Sequence, residues 1–155
     1  MATEPGVTAW IRFLRAHAAI ARELSVRLET QHGLTLSDYD VLVQLYYAPE
    51  QRMRRVDIAR TVLLTASGVT RLLEGLERAG LVEKQSCPDD ARVTYAALTD
   101  AGRARFEAAQ ATHLADVEEL FAAKYTAEER ETLAELLGRL PLADTSSACT
   151  EEGAA

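Results

Sequence analysis

The stretch RVDIARTVLLTASGVTRLLEGLERAGLVEKQSCPDDARVTYAAL, residues 55–98, decides the fold. Arg55 to Val62 and Ala66 to Arg78 have the apolar spacing of short helices, separated by a turn at Leu63, Leu64 and Thr65. Thr65 is a natural N-cap for the second, since its hydroxyl can accept a free amide of the first turn. Ala79 and Gly80 give a helix stop. Leu81–Ser86 and Val93–Leu98 then read as strands joined by a Pro- and Asp-rich turn, Cys87 to Arg92. A helix-turn-helix followed by a β-hairpin is the element order of a winged helix.

Outward on the N-terminal side, Trp10, Leu14, Ala18, Ala21, Leu24 and Leu28 draw one stripe along a long helix from Val7 to about Thr30, ended by Gly33. Ser37 with Asp40 resembles a capping box for a second helix through Val41, Leu42, Leu45 and Tyr46, closed by Pro49. On the other side, Thr99 can cap a helix from Asp100 to about Lys124, roughly 40 Å long. Thr126 and Glu129 form a capping box for a last helix whose Leu133, Leu136, Leu137 and Leu140 share a side until Pro141. The expected fold is therefore mainly α with a small β-hairpin wing. One domain spans 1–140, with the winged helix-turn-helix at about 36–98 between dimerisation helices at 7–31 and 100–140. Residues 141–155 read as a disordered acidic tail.

The net charge of −7 seems to argue against nucleic acid, but its distribution reverses that argument. Residues 1–50 carry −2, residues 51–105 carry +3 and residues 106–155 carry −8, so the winged segment is the basic one. No stretch reaches the ~18 apolar residues of a membrane span and no signal peptide is visible, which places the chain in the cytoplasm. Cys87 and Cys149 make neither a disulfide framework nor a metal-ligand spacing, so no metal and no cofactor are expected. There is no phosphate loop, nucleophile elbow or paired carboxylate in an apolar run, and an enzyme is not expected.

Four segments resemble the MarR family of transcription regulators: Leu36–Leu42, Val56–Ala59 with Leu64–Leu73, Leu76–Lys84, and Asp89–Arg92 with Leu98–Gly102. The resemblance covers roughly residues 7–140. It implies a homodimer on double-stranded DNA at a pseudo-palindromic site, with repression as the default outcome and release by a small aromatic or phenolic ligand. Gly68 in the first turn of the second helix and Ala91 in the wing turn depart from the family pattern.

Thr65, Ser67, Gly68, Thr70 and Arg71 lie on the half of that helix that meets base edges in a major groove. Arg71 can reach a guanine or a phosphate, whereas Ser67 and Thr70 read equally well as solvated positions. Asp90 and Arg92 match the family pattern of an aspartate orienting a minor-groove arginine. Lys84, Arg52, Arg54 and Arg55 are candidate phosphate contacts. For the ligand crevice the resemblance points to Trp10, Phe13, Arg15, His17, Tyr39, Tyr46 and His113, where ordinary packing is the competing reading. Cys87 is a candidate redox switch or an incidental thiol. The competing functional class is a winged helix used only for protein interaction, which would not need Arg92 or the basic middle segment.

Overall fold

A computed structural model describes residues 4–62 and 66–140, with the side chains of 66 and 67 left out. The turn at Leu63–Thr65, the Thr65 cap, the Ser67 side chain and the 141–155 tail with Cys149 lie outside the described residues. Helix α1 runs Pro5–His32 and ends on Gly33, whose left-handed φ of 64° suits a residue without a Cβ. Helix α2 (Leu36–Tyr47) is opened by Thr35 and Asp38 in a reciprocal capping box, two residues earlier than the Ser37–Asp40 pair expected from sequence. Both pairs fit the spacing, and Leu34, 2% exposed, fixes the frame by anchoring the chain just before Thr35.

Helices α3 (Arg55–Thr61) and α4 (Ala66–Arg78) form the helix-turn-helix, and strands β2 (Val82–Ser86) and β3 (Thr94–Leu98) the wing. A further strand, β1 (Arg52–Arg54), pairs antiparallel with β3 and puts the sheet in the order β1-β3-β2. The sequence reading offers Arg52 and Arg54 as candidate phosphate contacts before α3 and assigns no strand there. The chain enters β1 through Glu50 and Gln51, both left-handed at φ 55° and 51°, a conformation that costs roughly 1–2 kcal/mol per residue for an L side chain. The β1 ladder offsets that cost.

Helix α5 (Asp100–Leu120) stops short of the Lys124 expected from sequence; a 3₁₀ turn at Ala122–Lys124 follows, then α6 (Ala127–Leu137) behind the Thr126–Glu129 capping box. The core lies where α2, α3, α4 and the sheet meet the C-terminal half of α1 and the first turns of α5. Leu28, Leu42, Leu45, Ile58, Val69, Leu73 and Phe106 are all fully buried there. Polar ties fasten α1 to α5 as well: the Arg27 guanidinium donates to Asp116 at 2.6 Å and to both oxygens of Glu119 at 3.1 Å, and His32 meets Thr112 at 2.6 Å. By contrast, the first half of α1 and all of α6 bury almost nothing within one chain.

Candidate DNA interface and the α1–α6 groove

Helix α4 buries Val69, Leu73 and Leu76 on the core and turns Thr70, Arg71 and Glu74 to solvent. Its apolar residues recur every three to four positions, so the exposed face is the one left over. At its C-terminal end the Gly80 N–H donates to Glu77 O and the Leu81 N–H to Leu76 O, both at 3.0 Å, the paired bonds of a Schellman stop, with Gly80 at φ 72°. The C-terminal end of the helix is thereby fixed.

In the wing turn, the Asp90 carboxylate accepts the backbone N–H of Arg92 at 2.9 Å. Asp90 thus shapes the turn from which Arg92 projects, while the Arg92 side chain stays exposed. Lys84 is exposed on β2. The three arginines of the β1–α3 segment are each engaged. Arg52 pairs with Glu50 and lies over the Tyr95 ring at 4.9 Å, Arg54 hydrogen-bonds Tyr95, and Arg55 faces Glu77 at 3.6 Å. Cys87 is a half-buried free thiol whose backbone N–H closes the same turn onto Val93 O.

A second feature is an apolar groove of about 850 Å³ between the first half of α1 and α6. Trp10, Phe13 and His17 form a stacked ladder along one wall, with ring centroids 6.2 and 6.4 Å apart. Phe121, Tyr125, Leu133, Leu137 and Leu140 form the other, and His113 with Leu36 the floor. Trp10 is 58% exposed and Phe13 41%, which an isolated chain in water would not favour. Of the residues expected around a ligand crevice, Trp10, Phe13, His17 and His113 come together here. Tyr39 lies behind His113, ring to ring at 4.5 Å, and Tyr46 packs half-buried against the core, its hydroxyl donating to Glu107. Arg15 is exposed and does not line the groove, whereas Arg12, one turn position away, does.

The comparisons with known proteins agree with this arrangement. The MarR family profile matches residues 32–93. The HTH-type transcriptional regulator YdgJ of Bacillus subtilis is 32% identical over 121 residues, 78% of this chain and 72% of its own. The chain belongs to the MarR family. MarR-family proteins are DNA-binding transcription regulators rather than enzymes. The crystal structure of AbsC, a MarR family regulator from Streptomyces coelicolor, superposes with a TM-score of 0.81 at 28% identity, over 88% of this chain and 92% of AbsC. That of Sco3205, a MarR family regulator from the same organism solved in complex with DNA, gives 0.83 at 24% identity over 94% of each chain. Among the described residues, no helix of this MarR-family chain is long and apolar enough to cross a membrane, and no three His, Cys, Asp or Glu side chains gather as a metal site.

His113 carries the chemistry of the groove floor. Its Nδ1 is buried without a hydrogen-bond partner, and burial holds the imidazole below its ordinary value near 6.5, opposed only in part by Asp116. The folded chain therefore prefers the neutral ring more strongly than the unfolded chain does. The associated stability is present above the unfolded value and is lost as pH falls below it. Denaturation midpoints measured from pH 7.5 to 5.5 should fall for the wild type and fall less for His113→Leu. Equal slopes for the two proteins would rule out this role. Asp40 is shifted up by burial and acts in the opposite sense, a contribution common to both proteins that drops out of the comparison.

Proposed function

We propose that this chain is a cytoplasmic repressor that binds a pseudo-palindromic operator as a homodimer. The observation that carries the reading is the side-chain set left to solvent on an otherwise core-packed module: Thr70 and Arg71 on α4 and Arg92 on the wing. Helix α4 enters the major groove, its N-terminal half against base edges. Gly68 precedes these positions on the same helix, and Thr65 and Ser67, expected from sequence to read DNA with it, lie outside the described side chains. Arg92 enters the neighbouring minor groove, and Lys84 and Arg54 lie within the same basic segment as phosphate contacts. The acidic C-terminal third stays away from the duplex, as repulsion by phosphate requires.

Dimerisation accounts for the half of the molecule that DNA does not touch. A second copy placed against the Trp10–Phe13 wall and the leucines of α6 removes their apolar surface from water, and a two-fold operation sets two reading heads about one DNA turn apart. The floor of the groove, where the His113 ring lies beside Leu36 and Tyr39 with its unpartnered Nδ1 buried, suits a small aromatic or phenolic effector. Binding there would change the spacing of the two heads and release the operator.

The test is selection of bound duplexes from a randomised library by the full chain, followed by titration of the winner against salt. An inverted repeat is expected, with affinity falling steeply as salt rises. Arg92→Ala should weaken binding by roughly 5- to 100-fold, the scale of one lost groove contact, and flatten the salt dependence. Enrichment of no sequence, with residual binding indifferent to Arg92, would move the reading to a protein-interaction module.

A further inference from the structure

One hydroxyl bridges the reading head and the long helices. The Thr99 Oγ accepts the Gly102 N–H at 3.0 Å, capping α5, and in the same position donates to Gly80 O at 2.7 Å. The Thr99 backbone N–H donates to Leu81 O at 3.1 Å. Gly80 and Leu81 are the residues of the Schellman stop that ends α4. The start of α5 is therefore bonded directly to the end of the recognition helix.

The contact is close as well as polar. A Cβ on Gly102 would stand 2.0 Å from Leu81 O, so the first turn of α5 rests against the backbone that leaves α4. At its far end α5 is tied to α1 by Asp116 and Glu119 through Arg27. A change of angle at Thr99 is thus carried along α4 to Thr70, about 15 Å away at 1.5 Å per residue.

We infer that Thr99 is a positioning residue for DNA recognition: its bridge to Gly80 sets the angle between α4 and α5, and with it the half-site spacing that the dimer accepts. This rests on the homodimer reading and adds to it the element that fixes the spacing. Capping and bridging separate by chemistry. Serine keeps both bonds. Aspartate remains a good N-cap, but an ionised carboxylate has no proton to give Gly80 O.

The experiment uses the selected duplex and versions with one base pair inserted or removed between half-sites, bound by the wild type, Thr99→Ser and Thr99→Asp. The wild type and Thr99→Ser should lose roughly tenfold or more on the mis-spaced duplexes, the scale of one mismatched position. Thr99→Asp should lose about threefold or less, because its heads are no longer held at one angle. Melting curves check that each variant is folded at the assay temperature, and Thr99→Val is compared in the same way should the carboxylate unfold the chain. A wild-type spacing penalty retained in the bridge-deficient variant overturns the role of Thr99. A wild type that ignores spacing overturns the dimeric operator reading, and this inference with it.

Discussion

Phe13→Glu combined with Leu137→Glu is expected to leave a folded monomer whose affinity for the selected duplex is about 10²–10⁴-fold weaker. Both residues line the α1–α6 groove, and neither belongs to the buried core of the chain. The substitutions therefore act on what covers the groove rather than on the fold. A carboxylate there must either stay hydrated, which keeps the second copy away, or be buried in a groove whose lining, among the described residues, is mostly apolar. Loss of the partner converts an effectively intramolecular second contact into an independent one, which is where the large factor comes from. Sedimentation and fluorescence anisotropy on the same samples check it. A variant that sediments as a monomer yet binds as tightly as the wild type would remove dimerisation from the recognition mechanism.

Phe106→Ala is expected to lower stability by about 3–5 kcal/mol, the usual range for emptying a fully buried phenylalanine site. Phe106 has no exposed surface and packs its ring on Tyr46 at 4.6 Å, Tyr39 at 5.5 Å and Tyr47 at 6.4 Å. Those tyrosines sit on α2, so the ring is the apolar tie between the long helix and the helix that carries the reading head. Against a total stability of about 5–15 kcal/mol for a domain, such a loss is a large fraction. Urea denaturation at constant slope measures it. A loss under about 1 kcal/mol would mean that the site collapses around the smaller side chain and that Phe106 is no keystone.

Much of this was legible in the residues because the relevant signals are local. The spacing of Val69, Leu73 and Leu76 specified α4 and its exposed face, and Thr99 and Gly80 announced a cap and a stop. What escaped is non-local. β1 is three residues of Arg-Met-Arg whose strand character comes only from pairing with β3, forty-odd positions later. The Thr35–Asp38 and Ser37–Asp40 pairs have identical spacing, and only the burial of Leu34 chooses between them. Arg12 rather than Arg15 lines the groove because the face of α1 is set by where α6 lies, which helical periodicity alone does not say. Thr99 was legible as a cap but not as a bridge, since its second partner lies nineteen positions back.

The close approach at Gly102 also marks where this chain can be cut and rejoined. Because Leu81 O already fills the space a side chain would need, a seam at Leu98–Thr99 keeps the hydroxyl and the glycine with this scaffold's long helices, and the donor reading head must bring a backbone that runs where Gly80 and Leu81 run. The exposed turn at 88–92 is closed by short-range bonds, Cys87 N–H to Val93 O and Arg92 N–H to the Asp90 carboxylate, and is a natural splice point if it travels whole. Exchange of DNA specificity between such proteins would therefore proceed by trading residues 36–92 as a block while 93–102 stay with the scaffold, provided that the incoming block ends its recognition helix on the same Gly80-type stop and that its first two strands pair with the scaffold's β3.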